Sequence, residues 1–167
     1  MEFKLTFDMV LKALMFNMIG VAFLIIPLCF TIYLFLHNSN KWTLFGIFFP
    51  ILVILYIAYN STGSGYSIHS NILYIQSGSY NKEIDLKEAQ VFLTDDEQWK
   101  IATRLHGLGT DNLKTGYFQL KNNQKAVVFS YEGGKDSIII KNQANYYIIN
   151  IADSGGLIKV LQKYNMN

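Results

Sequence analysis

The side chains best suited to catalysis or metal binding are few: His37, His69, His106 and the single cysteine, Cys29. His69 and His106 have no partner ligands at the spacing of a zinc site. His37 and Cys29 fall in or beside a long apolar stretch, and one cysteine permits no disulfide within a chain. Asp95-Asp96-Glu97 lacks the ligand spacing of a calcium loop and reads as a solvated turn. The sharper reading makes it a docking surface with Trp99, although Trp99 itself is expected in the core. Gly63-Ser64-Gly65 and Gly107-Leu108-Gly109 are lone glycine pairs outside any strand–GxGxxG–helix unit, so nucleotide binding is not supported. No serine sits in a nucleophile elbow. His106 and Asp111 are the one pair offered for acid–base work, on a segment that reads as a mobile loop or a long β-connection. These residues predict no catalytic set, no cofactor and no metal, and they assign no binding residues.

Charge narrows the partners. The chain carries 14 Lys and Arg against 12 Asp and Glu. Residues 1–60 hold three of the basic and two of the acidic residues, so the remainder is close to neutral. Nucleic-acid binding usually leaves a strongly basic footprint, and none is present. No polybasic cluster suits anionic lipid either.

The elements that must position any site begin with two uncharged runs, Ala13–Leu36 and Trp42–Tyr59, separated by His37-Asn38-Ser39-Asn40-Lys41. As helices they would extend about 36 Å and about 27 Å, against a hydrocarbon core of about 30 Å. The short connection folds the second run back beside the first, which predicts a transmembrane hairpin over residues 13–36 and 42–59. Met1–Lys12 alternates apolar and charged residues and reads as an amphipathic lead-in at the interface. A cleaved signal peptide fits worse, because the apolar run is too long and no small-residue cleavage site follows. Trp42 at one interface and Tyr56 and Tyr59 at the other suit amphipathic rings. Pro27 and Pro50 fall at matching depth, where kinks can nest or prolines are simply tolerated. Asn17, near the start of its span, is expected to reach interfacial water in preference to a helix partner. Lys4 and Lys12 outweigh Lys41, which puts the N-terminus, and after two crossings the rest of the chain, in the cytosol.

Residues 60–65 read as a flexible connector. Beyond it, short β-type runs alternate with turn residues: Tyr66–Gln76, Tyr80–Ile84, Ala89–Leu93, Ile101–Leu105, Gly116–Leu120, Lys125–Tyr131, Asp136–Lys141 and Asn145–Ile151. Most links are too short for a crossover helix, so an antiparallel meander is expected. A helix over residues 153–164 follows, capped by Asp153 or Ser154 and apolar along Leu157, Ile158, Leu161 and Tyr164. The class is α+β: a helical hairpin, then a rolled sheet or barrel over residues 66–165 closed by one helix.

That order of elements resembles the bacterial pleckstrin-homology (PH) domain family, in members tethered by N-terminal membrane helices. The residues carrying the resemblance are Tyr66-Ser67-Ile68, Leu73-Tyr74-Ile75, Ile84-Asp85-Leu86-Lys87-Glu88, Thr103-Arg104-Leu105-His106-Gly107 and, most of all, Gly116-Tyr117-Phe118-Gln119-Leu120. Lys125-Ala126-Val127-Val128-Phe129, Ile138-Ile139-Ile140 and Tyr147-Ile148-Ile149 complete it before the helix. Gly155-Gly156 departs from it, since such helices tend to start with acidic residues. The resemblance implies a rolled β-sheet with a C-terminal helix and a role in binding or assembly. Phosphoinositide binding is not carried over, because Ser77–Lys82 offers only Lys82. The function expected is a non-enzymatic module in the bacterial cytoplasmic membrane, its soluble domain cytosolic, that binds a protein or peptide or self-assembles. Its modes are strand addition at a sheet edge or docking beside the terminal helix. The alternative is a sensor of lipid or a small ligand.

Overall fold

The computed structural model describes residues 1–15, 18–37 and 43–164, with some side chains of the second and third helices outside that description. Strand β1 (Glu2–Lys4) leads to helices α1 (Phe7–Met15), α2 (Met18–His37) and α3 (Thr43–Ser61). Among the described residues nine strands follow: β2 (Gly65–His69), β3 (Ile72–Ser77), β4 (Tyr80–Asp85), β5 (Gln90–Thr94), β6 (Ile101–Gly109), β7 (Leu113–Leu120), β8 (Lys125–Tyr131), β9 (Ser137–Asn142) and β10 (Asn145–Ile151). Helix α4 (Gly155–Leu161) ends the described fold.

The strands form two sheets, β1-β2-β3-β4 and β5-β9-β10-β8-β7-β6. The core between them takes Leu73, Ile84, Phe129, Ile138, Ile149 and, from α4, Leu157 and Leu161. A second apolar cluster, with Phe118, Leu120, Val128, Ile139 and Ile148, lies on the opposite face of the larger sheet. Its central strands are thus buried on both faces. This explains runs such as Ile138-Ile139-Ile140, where a half-exposed strand would alternate. Ser77, fully buried, ties the sheets: its hydroxyl donates to the Val128 carbonyl and accepts from the Gly116 N–H.

Several expectations are corrected. Residues 1–12 are not one interfacial segment: strand β1 precedes α1, whose apolar face turns to the core. Glu2–Lys4 pairs antiparallel with Gly65–Ser67, because the alternation of Phe3 and Leu5 with Glu2 and Lys4 is a strand's period of two. Leu5 is 2% exposed. Helix α1 then buries Val10, Ala13 and Leu14 in the main core, beside Ala58 of α3. The connector over residues 60–65 is packed. Ser61 and Ser64 are buried, Leu5 N–H donates to the Ser64 carbonyl (2.8 Å), and Gly63 N–H donates to the Leu5 carbonyl (3.0 Å). Tyr66–Gln76 is two strands, broken at Ser70, whose φ is +58°.

The sheet is not an antiparallel meander. β10 runs parallel to β8, and β9 serves as the crossover on its far side. A strand can make that crossover where a helix would not fit. His106–Gly109 is part of β6, and only a tight turn separates it from β7. Helix α4 starts at Gly155 with no side-chain cap, Ser154 occupying the cap position.

Among the described residues no helix is long and apolar enough to cross a membrane. The expected pair of transmembrane helices is therefore not supported by the described residues. Asn17, Ser39, Lys41 and Trp42 lie outside the described residues, as do the side chains of Pro27 and Pro50.

Candidate binding surfaces

The residues singled out for chemistry are dispersed. His69 lies on the outer face of β2, its ring edge-on to Tyr74 at 6.1 Å. His106, on the exposed β6, stands edge-on to Tyr80 at 5.9 Å. Asp111 lines hollows that do not include His106, so the proposed pair is not assembled. His37 Nδ1 is 3.1 Å from the Tyr33 carbonyl oxygen, and Cys29 is exposed on α2. No group of three His, Cys, Asp or Glu suited to a metal occurs among the described residues.

A groove of about 580 Å³ runs across the outer face of the larger sheet. Its floor follows from register. Thr94 pairs with Ser137, while Ser130 pairs with both Asn150 and Lys114. These make a polar row beside the apolar row Phe92, Ile139, Ile148 and Val128. Trp99 closes the apolar end, its ring centroid 5.2 Å from Phe92 and 5.3 Å from Tyr146. It is half-buried, neither a free anchor nor a deep core residue. Asp96 accepts from the Gln98 N–H and caps the 3-10 turn Glu97–Trp99. Glu97 pairs with Lys100 (2.5 Å) and with Lys121. Hydrogen bonds from these two ammonium groups hold its carboxyl down at about 2.

Asn150 fixes the other end of the groove. Its Nδ2 donates to Ser137 Oγ (2.8 Å) and to the Gly134 carbonyl (3.2 Å), fastening the loop that begins the crossover. Its Oδ1 is buried without a partner among the described residues. The sequence does carry a sign of Asn150: it is the one polar residue within Tyr147–Ile151. The polar row was invisible, because it exists only across strands.

Strand β6 is one edge of the larger sheet, and β5 is the other. The pairing of β6 to β7 shifts between Ile101 and Thr103 and again between Arg104 and His106. Bulges and charge of this kind guard an edge against further pairing. On the smaller sheet a hollow of about 430 Å³ is lined by Lys4 of β1 and Lys82 of β4, with Gly63, Gly65, Tyr74 and Glu83 between and around them. Sequence reasoning weighed Lys82 alone, because Lys4 arrives from the far side of the helical hairpin. Lys4 is also paired with Glu2 at 2.6 Å, so the hollow is less basic than two lysines suggest.

No curated protein and no solved structure matches the chain. A family model described as "Bacterial PH domain" matches residues 64–164. That span begins at the buried Ser64 and includes both faces of the larger sheet and α4. PH domains are generally non-enzymatic binding modules. The two-sheet fold closed by α4, matched over most of its length, places this chain in the bacterial PH domain family.

Proposed function

We propose that this chain is a membrane-anchored PH module, in which α2 and α3 lie in the bilayer and the β-domain binds a protein or peptide, or another copy, without chemistry. The observation that carries it is the surface of the two helices. α2 has 20 residues and α3 has 19, with no Asp, Glu, Lys or Arg in either. Among the described residues, 13 of the 18 exposed large apolar side chains lie on them, including Ile26 (67%), Leu36 (75%), Phe49 (67%) and Tyr59 (76%). A helix apolar all round needs lipid or protein around it. Lengths of about 30 Å and 28 Å suit the hydrocarbon core. The pairing of β1 with β2 keeps both flanks of the hairpin together, which supports an even number of crossings. With Lys4 and Lys12 on those flanks, the β-domain is assigned to the cytosol.

Alkaline carbonate extraction of membranes tests the anchor, and a C-terminal topology reporter tests the side. Release of the chain into the supernatant would end the membrane reading. A second reading, sensing of lipid or a small ligand, is favoured by the hollow holding Lys4 and Lys82, since Gly63 and Gly65 place it where α3 enters the sheet. In nanodiscs it predicts a higher Tm with anionic than with zwitterionic lipid.

A further inference from the structure

The first five residues occupy a site built from parts of the domain far away in sequence. Gly65 leaves the space. A Cβ there would overlap the Phe3 carbonyl oxygen and come within 2.9 Å of Lys4 Cα, so any larger residue bars the strand. Phe3 stacks on Tyr66 (centroids 6.1 Å, planes 13° apart) and meets Phe129 at 5.9 Å and Tyr131 at 6.2 Å. Met1 reaches α4, where a Cβ on Gly156 would stand 2.9 Å from its Cε. Met1 and Ile68 exchange both main-chain hydrogen bonds, at 3.1 and 2.7 Å.

We infer that the β2 edge is a peptide-binding groove, whose resident is the chain's own Met1–Leu5 and whose partner ligand is an extended segment with the same alternation, apolar at its first, third and fifth positions. Strand β2 becomes an edge of its sheet once Met1–Leu5 leaves it, and it contrasts with the edge strand β6 of the larger sheet. β6 is bulged and guarded, whereas β2 pairs in unbroken register with Glu2, Phe3 and Lys4. Main-chain bonds supply affinity and alternate pockets supply selectivity in such strand addition. The resident strand is only three residues long, so it is a ligand that another segment can replace. The inference rests on the domain being a binding module. It does not depend on the bilayer, so failure of carbonate resistance and failure of peptide binding are separate results.

The test uses the full chain in detergent, in a Cys29→Ser background. Glu2→Cys with Ser67→Cys locks the strand. These residues face each other, and the bonded Met1–Ile68 pair beside them marks the closely spaced, non-hydrogen-bonded type. The probe is a fluorescent peptide Met-Glu-Phe-Lys-Leu-Thr, with a control in which Phe and Leu are replaced by Ser. Phe3→Ala, which loosens the resident without altering the groove, should bind the probe at least about tenfold more tightly than the unmodified chain. The oxidised pair should not bind, and reductant should restore binding. No binding to Phe3→Ala or to the reduced pair at about 1 mM probe, comparable to the effective concentration of a short tether, would overturn the inference. So would equal binding of the serine control or undiminished binding by the oxidised pair.

Discussion

Leu5→Ala separates a strand that belongs to the core from a lead-in that merely lies at an interface. Leu5 is 2% exposed and packs in the cluster that contains Phe129 and Ile149. Truncating a buried leucine loses the transfer energy of its methyls and leaves a cavity, together about 2–5 kcal/mol. The flanking bonds from Leu5 N–H to Ser64 and from Gly63 N–H to Leu5 limit how far the backbone can collapse into the space, which argues for about 3 kcal/mol. In a domain of this size that lowers Tm by roughly 10–20 °C. Lys4→Ala is the control. It is the residue just before Leu5 and has an exposed side chain, and such changes stay within about 0.5 kcal/mol. Thermal unfolding of both variants in the same detergent, followed by near-UV circular dichroism, gives the comparison. Equal Tm values would show that residues 1–5 are not part of the core and would remove the basis of the β2 groove.

Asn150→Ala should cost about 1–3 kcal/mol and speed amide exchange over residues 132–136, since Nδ2 fastens Gly134 and Ser137. Asn150→Asp should be worse, because a carboxylate has no N–H for the Gly134 carbonyl. Protection unchanged in both would refute the staple. Glu97 has its carboxyl depressed from 4.5 to about 2 by Lys100 and Lys121. Its stabilisation of the turn is therefore full above pH 4.5 and vanishes as pH falls toward 2. Trp99 fluorescence in a Trp42→Phe background should follow that window and lose the transition in Glu97→Gln. Because Glu97 is exposed, about 1 M salt should weaken the effect. Gly116→Ala should prevent stable folding. Its φ is +126°, and a Cβ would overlap the His106 carbonyl and stand 2.7 Å from Gly107 Cα. The cost is about 3 kcal/mol or more, and an unchanged Tm would contradict the close approach of β6 and β7.

Legibility followed burial. Lys125–Tyr131 and Asn145–Ile151 coincide with the observed β8 and β10, because strands covered on both faces carry unbroken apolar runs, here Ala126–Phe129 and Tyr146–Ile149. The parallel pairing of these same strands was hidden. Short links favour neighbours in sequence, and nothing local in Glu132–Asp136 says that β9 goes to the far side of β10. The glycines of β6 and β7 were visible but their purpose was not. Gly107 and Gly116 face each other, which only register reveals. Residues 1–5 were misread for a related reason. Their alternation suits a strand or an amphipathic interface segment equally, and the residues deciding between them, Gly65, Tyr66 and Phe129, lie beyond the helical hairpin. Asn150 and Lys4 were missed because each acquires its neighbours across strands.

The packed junction couples the helices to the β-domain. A flexible connector would let the β-domain tumble beside its helices, and binding at the groove would be independent of them. Instead, the hairpin returns to the sheet at two adjacent strands, β1 and β2, and Ala58 of α3 and Val10 of α1 are fully buried in the domain's own core. The Ser64 hydroxyl also accepts from the Gly78 N–H at 3.0 Å, tying the entry of β2 to the β3–β4 turn. Displacing Met1–Leu5 therefore removes the main-chain attachment at β1, while Ser61–Gly65 and the buried faces of α1 and α3 remain in place. On this geometry, peptide binding at the β2 edge and the angle of α1 and α2 against the domain are linked quantities. A segment that enters the groove must release the chain that leads directly into α1.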